Sequence, residues 1–455
     1  MLSQTQLSKI QQLEQKYKIA LDNTQHTSLC ELFEFVCGGV DRSVCLSGKA
    51  GCGKTLILSM LYDLLSAEGL IVWNVTPTNK SKINFEQRVK KECLTIHSLL
   101  GLRPNLDILE FDASQLSFDF FSPQDWNVDV LLIDECSMIN DQLYDTLIQN
   151  AELHNFKIVF SGDAKQLAPV KQLNISKTFS NNRTICLEKI YRQKESILYK
   201  VLDYLRRKPI YKFKSIEDEF SSINVYSDIK QMLKERCQIF KVSQDFKDLN
   251  MVKLITYTNK RISALNQYVR KLLYADNREY HCREILTGYD NCNYGDSNIY
   301  NSEDYIVVDC VEGAFENCKS WFLTLETLDK RLIKVNILSR ENDSSKFDTI
   351  AYKLEQLRMA AVKSKNKNDW RKFYRYNDSF LTPIDLIYDN RIIKRKSLDY
   401  GYCISAHKSQ SSTYRIVLID MENIFRCTNK EELRQMQYVA LSRTEGEIIL
   451  YQKNE

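Results

Sequence analysis

A lysine and a threonine set behind closely spaced glycines are the residues of this sequence that point most directly to a chemistry. They close the run Gly48-Lys49-Ala50-Gly51-Cys52-Gly53-Lys54-Thr55, a full G-x-x-x-x-G-K-[ST] pattern. Glycines let a backbone curl until successive N–H groups face a phosphate chain, and a helix starting there adds a favourable dipole. In that arrangement Lys54 reaches the β- and γ-phosphates of ATP, and the Thr55 hydroxyl ligates Mg²⁺. The run follows the apolar stretch Ser43–Ser47 and opens into Leu56–Leu64, which has helical spacing. With 13 glycines among 455 residues, a chance match is improbable.

A second requirement of the same chemistry is met downstream. Val128–Ile133 reads as a buried strand that ends in Asp134-Glu135. A carboxylate at a strand end beside a phosphate loop holds Mg²⁺ through its water shell, the role expected of Asp134. Its neighbour Glu135 is placed to polarise the attacking water. Two adjacent acids are more often a solvated loop; the apolar run before them and the phosphate loop upstream favour the catalytic reading.

The elements that must position these groups follow from hydrophobic patterning. Residues 1–187 alternate strand and helix signals, with apolar runs at Ser43–Ser47, Leu70–Val75, Val128–Ile133 and Lys157–Ser161. Each ends in a polar or glycine-bearing loop, the pattern of an α/β fold with a parallel sheet. Leu102–Phe121 breaks the pattern and reads as a protruding β-hairpin or, equally well, as an irregular surface insertion. From Arg192 to about Lys247 the chain looks helical and charged. A strand follows at Val252–Tyr257, then a helix through Arg270. Residues 300–340 alternate in antiparallel fashion, Phe347–Asn377 is helical and basic, and strands return at Gly401–Ser405 and Arg415–Asp420.

An ordered series of segments then resembles the superfamily 1B helicases, most nearly the Dda-type phage and bacterial enzymes, with RecD more distant. Leu21–Gln25 resembles the adenine-reading Q motif, Thr76-Pro-Thr-Asn-Lys80 motif Ia, and Thr95–Gly101 the adjoining T-I-H-x-L-L-G segment. Asp134–Met138 is similar to motif II, Gly162–Val170 to motif III, and Ile190–Gln193 to motif IV. Thr256–Lys260 resembles the opening loop of a second motor domain, Ser405–Gln410 motif V and Tyr438–Arg443 motif VI. The short segments are individually weak; their order is specific.

The resemblance implies two RecA-like P-loop motor domains with a pin hairpin and an SH3-like β insertion carrying a helical extension. Expected bounds are 1–187 for domain 1A with the 102–121 pin as 1B, 188–299 and 396–455 for 2A, and 300–395 for 2B. It also implies roles. Gln25 bonds the adenine edge, Gln166 senses the γ-phosphate, and Arg192 and Arg443 act from the second domain as arginine fingers. Thr76, Thr78, Lys80 and His97, with Thr258, Asn259, Lys260 and His407, are the expected strand contacts. Such groups hold phosphates without reading bases. For the two histidines a buried structural role is the rival. The activity so implied is 5′→3′ ATP-dependent movement on single-stranded DNA with unwinding of duplex and fork junctions. Replication or recombination proteins, such as a single-strand-binding protein, are candidate partners, and a monomer is expected. Three departures stand out: Ser411 follows Gln410 where the family carries glycine, Ala168 replaces a common proline, and Cys52 stands for a usual threonine or serine, an expected point of oxidation sensitivity.

Composition bounds the alternatives. The 63 basic and 59 acidic residues leave a net charge of only +4, so any basic surface is local. The 14 cysteines contain no C-x-x-C pair, which argues against a zinc or iron–sulfur framework and for reduced thiols in a cytoplasmic setting. The polar start Met1–Lys18 has no signal-peptide core, and export is not expected. An ATPase that remodels nucleoprotein without productive unwinding is the nearest rival. A P-loop kinase or metabolic ATPase would leave Arg443 and the 76–80 and 405–410 loops without a task. RNA stays open as the polynucleotide.

Overall fold

The computed structural model describes residues 4–101, 126–169, 172, 174–187, 189, 196–294, 297–364, 366–444 and 446–453. The hairpin expected at Leu102–Phe121 and the expected arginine finger Arg192 lie outside the described residues. Two compact units divide the chain: Met1–Asn224 with Gln410–Thr413 and Ile424–Ile448, and Val225–Ser409 with Tyr414–Asn423 and Ile449–Glu455.

The first unit is built on a parallel sheet of strands β1 (Ser43–Gly48), β2 (Val72–Thr76), β3 (Leu94–Thr95), β4 (Val130–Ile133), β5 (Lys157–Gly162) and β6 (Arg183–Leu187), in the order β3-β2-β4-β5-β1-β6. The strands read as continuous apolar runs because both faces are covered. Val44, Leu46, Val130, Leu132 and Val159 pack on one side with helices Asn23–Gly38 and Lys54–Ala67. Cys45, Leu131, Ile133, Ile158 and Phe160 pack on the other with helix Asp141–His154. Each such buried side chain contributes about 2 kcal/mol, so truncating a central one such as Leu131 removes support directly beneath the loops. Since all the strands run the same way, their carboxyl ends share one edge. There β1 delivers the glycine loop, β2 the 76–80 loop, β4 Asp134 and β5 Asp163–Gln166.

The second unit holds a parallel core of Cys403–Ser405, Val252–Thr256 and Ile416–Asp420, with Val252–Thr256 in the middle. Glu447–Tyr451 and Ser222–Tyr226 belong to the same sheet, and the division between units falls inside these two strands. A five-stranded sheet, in the order Leu332–Leu338, Cys318–Glu326, Asp304–Phe315, Ile285–Gly288, Leu398–Tyr400, follows in this unit with helices Ser344–Ser364 and Lys367–Asn377. Two expectations need correction. The stretch to Lys247 is not wholly helical, because Ser222–Tyr226 is a strand whose alternation is masked by its short length and polar Asn224. Gly401–Ser405 is also not one strand. Leu398–Tyr400 pairs in the antiparallel sheet and Cys403–Ser405 in the parallel one, with the chain passing between sheets at Gly401. Among the described residues no helix is long and apolar enough to cross a membrane.

Candidate active site

The glycine loop folds as its spacing requires. Gly51 and Gly53 take φ of 80° and 90°, which side chains resist. A Cβ on Gly53 would lie 2.7 Å from Gln25 Nε2, and one on Gly48 only 2.5 Å from Cys52 Sγ. Helix Lys54–Ala67 therefore starts without a side-chain cap. The helices at Asn23, Asn79 and Asp141 are capped by Asp22, Thr78 and Asn140. The helix behind the glycine loop thus has no capping side chain at its amino end, where an anion is favoured.

Lys54 Nζ donates to the carbonyls of Gly48 and Lys49 at 2.8 and 2.9 Å. Burial works against its charge, but the Cys52 sulfur and the carboxylates of Asp163, Glu135 and Asp134 outweigh it and raise the lysine above its ordinary value. Thr55 Oγ1 donates to Asp134 Oδ2 at 3.0 Å. Ser161 Oγ and the Glu135 N–H donate to the other oxygen, at 3.1 and 3.0 Å. A hydroxyl and a carboxylate so paired beside an uncapped helix fit Mg²⁺, which keeps several waters and needs only one or two protein ligands. Among the described residues no cluster of three or more metal-ligating side chains offers a rival site.

Glu135 is held at φ 57°, a left-handed conformation uncommon for glutamate. Burial, and then the charge of Asp134, raise its carboxyl above the usual range, while Lys54, Arg443 and Arg88 pull the other way. A carboxyl raised in this manner suits a general base. Arg443 belongs to the same compact unit. Its guanidinium is buried and donates to Val439 O at 2.9 Å, Ser412 O at 3.2 Å and Ser442 Oγ at 2.7 Å. Gln166 is also buried and accepts from Gln410 Nε2 at 3.1 Å; that nitrogen also donates to Ser137 Oγ at 3.0 Å. Gln25 uses both ends of its amide locally. Its oxygen accepts from the Asp22 N–H at 3.4 Å, and its nitrogen donates to Cys52 O at 3.3 Å. Gln25 therefore buttresses the phosphate loop in this conformation.

Cys52 does not match the expected sensitivity to oxidation. The side chain is fully buried and burial pushes its thiol up, so it stays protonated and sheltered. Ala168 gives a physical reading of the missing proline: its N–H donates to Gln435 Oε1 at 3.4 Å, which proline has no hydrogen to do.

Sequence reasoning missed a buried clamp. Asp163, with no exposed surface, accepts from Arg206 Nη1 at 2.8 and 2.9 Å and from Tyr438 Oη at 2.8 Å. Arg206 also reaches Tyr438 Oη at 2.9 Å. Asp163 and Tyr438 sit in recognisable segments, but nothing near Arg206 marks it. Lys49, expected to bind nucleotide as part of the phosphate loop, has its ammonium paired with Asp203 at 2.7 Å.

The expected strand contacts fall on both units. In the first, Thr76 is buried with its hydroxyl donated to Thr78 O at 3.2 Å. Thr78 and Lys80 are partly exposed, and Thr78 caps helix Asn79–Val89. His97 is partly exposed too, and burial lowers its pKa, so it is a neutral hydrogen-bonding group at neutral pH. In the second, Thr258 and Asn259 start helix Asn259–Leu273, and Lys260 is exposed on its first turn. Asn423, also missed, gathers this loop by accepting from Thr256 Oγ1, Tyr257 N and Thr258 N at 3.1, 3.2 and 2.9 Å. His407 stacks with Tyr257 at 6.4 Å between ring centroids.

Several known proteins are similar to this chain. Residues 23–220 match a family described as AAA domain. An uncharacterized protein, R530, of Acanthamoeba polyphaga mimivirus is 23% identical over 92% of this chain and 97% of its own length. The ATP-dependent DNA helicase dda of Enterobacteria phage T4 is 24% identical over 53% of this chain; the match spans 55% of the phage protein, about half its length. The crystal structure of Pif1 helicase from Candida albicans shares the fold, with a TM-score of 0.52 at 17% identity over 95% of this chain and 94% of that one. With its α/β fold of two RecA-like sheets, complete phosphate loop and ordered motif series, this chain is similar to the superfamily 1B helicases, the Dda-, RecD- and Pif1-like enzymes.

Proposed function

We propose that this chain is a motor that couples MgATP hydrolysis to 5′→3′ movement along single-stranded DNA and to unwinding of duplex and fork junctions. The observation that carries the reading is the pairing of Thr55 with Asp134, 3.0 Å apart, beside Lys54 and Glu135. Gly48–Thr55 wraps the triphosphate, Lys54 leaves its loop carbonyls for the β- and γ-oxygens, and Thr55 with Asp134 holds the metal. Held there, the metal would supply charge neutralisation at the phosphate oxygens. Glu135 takes a proton from the attacking water, Gln166 orients that water, and Arg192 with Arg443 offsets charge on the γ-phosphate. Gln25 turns from the loop to the adenine edge. Thr76, Thr78, Lys80 and His97 of one unit and Thr258, Asn259, Lys260 and His407 of the other hold the strand's phosphates. Residues 102–121 act as the separating pin and 300–395 as an SH3-like insertion. A single-strand-binding protein is a suitable partner for a monomeric motor that works on exposed strands.

The test is steady-state ATPase of the full chain with and without single-stranded DNA, beside unwinding of duplexes carrying a 5′ or a 3′ tail. Strong stimulation and unwinding from the 5′ tail alone are expected; hydrolysis indifferent to DNA would overturn the motor reading. Removal of residues 102–121 is expected to abolish unwinding and spare stimulated hydrolysis. Stimulated hydrolysis without unwinding by the intact chain would favour a remodelling ATPase.

A further inference from the structure

Ser411 has φ of +65°, a left-handed conformation that glycine adopts freely and serine resists. The Cβ makes serine worse than glycine here, but the hydroxyl it carries has a partner. Ser81 Oγ donates to Ser411 Oγ at 3.2 Å, and Ser81 Oγ is itself 2.7 Å from Thr78 Oγ1. Asn84 Nδ2 donates to the Ser411 carbonyl at 2.7 Å, and Arg88 reaches Thr413 Oγ1 at 3.4 Å. The short segment Gln410–Thr413 is thus laced along helix Asn79–Val89, all within one compact unit. The residue before Ser411 is Gln410, whose amide nitrogen touches both Gln166 and Ser137. A continuous set of contacts therefore runs from the 76–80 loop through Ser81 and Ser411 to the side chain that is proposed to place the attacking water.

We propose that Ser411 is a positioning residue for DNA-stimulated hydrolysis: its hydroxyl fixes Gln410–Thr413 to the loop-bearing helix, so that an occupied 76–80 loop sets Gln410 against Gln166. The proposal rests on the reading that this loop holds the strand. It explains why a strained serine is kept where a glycine would be unstrained. Backbone contacts from Asn84 do not depend on the side chain at 411, so the fold tolerates its loss; the hydroxyl tie does not.

The test uses the full chain, a deoxythymidine oligonucleotide, and the variants Ser411→Gly, Ser411→Ala, Ser81→Ala and Ser81→Ala/Ser411→Ala. Each single variant is expected to raise the oligonucleotide concentration for half-maximal ATPase stimulation by about fivefold, the factor a single hydrogen bond of ordinary strength supplies. DNA-free turnover and the melting temperature should stay near those of the unaltered chain, with Ser411→Gly melting no lower than Ser411→Ala. The double variant should be no worse than either single one, because both break the same link. Stimulation by Ser411→Gly equal to that of the unaltered chain overturns the proposal, as do single effects that multiply in the double variant. Absence of stimulation in the unaltered chain overturns the motor reading and this proposal with it.

Discussion

The two units bury similar polar side chains to opposite ends. In the second unit several buried charged groups are satisfied by one another and by their neighbours. Arg270 Nε donates to Glu284 at 2.7 Å, Tyr402 Oη to the same carboxylate at 3.1 Å, and Lys253 Nζ to Asp304 at 2.9 Å. Glu279 accepts from Trp321, Ser339 and the Arg340 N–H at 3.0, 2.6 and 2.9 Å. These groups hold packed sheets together and have little capacity left for a ligand. In the first unit, at the carboxyl edge of β1, β4 and β5, the charged groups are satisfied only provisionally. Lys54 rests on its own loop carbonyls, Thr55 and Asp134 face one another, and the helix behind them is uncapped. Burial of charge is thus common to both units; what separates the proposed site is charge whose partners can be displaced.

Breaking the displaceable set should have the largest effect. Lys54→Ala is expected to lower kcat by at least about 10²-fold with the melting temperature little changed, since its partners are two carbonyls of a loop; steady-state ATPase beside thermal melting checks this. Next comes the clamp between the two classes. Arg206→Met leaves the fully buried Asp163 with Tyr438 but no cation, and is expected to cost about 3 kcal/mol by urea denaturation. A neutral outcome would show that the arginine is dispensable to that core. Smaller again, Ser161→Ala removes a donor from Asp134 and is expected to raise the Mg²⁺ concentration for half-maximal activity about tenfold, read from ATPase titrated with the metal. The structural set supplies an effect of pH. Burial pushes Glu303 up to about 7, against the lowering hydrogen bond from Tyr305. The folded carboxyl thus stays protonated where the unfolded one, near 4.5, has ionised. Stability present below pH 4.5 is therefore lost as pH rises to about 7, and Glu303→Gln should flatten that slope in melts across the window.

Local chemistry was legible in the sequence and long-range chemistry was not. The phosphate loop and the Asp134-Glu135 pair each follow an apolar run, so spacing and context placed Thr55 and Asp134, 79 residues apart, at one sheet edge. The same reasoning found the parallel strands, whose two-sided burial makes them uniformly apolar. Arg206 pairs with Asp163 across 43 residues and Asn423 gathers Thr258 across 165; neither has a local pattern, because any surface arginine or asparagine looks alike until the fold chooses its partner. Ser222–Tyr226 was hidden for a related reason. Its five residues alternate too briefly to outweigh the helical neighbours. The Ser411 departure was visible as an oddity, but its hydroxyl partner Ser81 was not.

In the proposed mechanism Glu135 acts on water beside a triphosphate that Lys54 and Thr55 have already bound. Single-turnover hydrolysis and direct nucleotide binding by Glu135→Gln test it together. ATP affinity close to that of the unaltered chain is expected, with hydrolysis slowed by at least about 10²-fold. Hydrolysis at the unaltered rate, or loss of nucleotide binding in step with loss of hydrolysis, would contradict it.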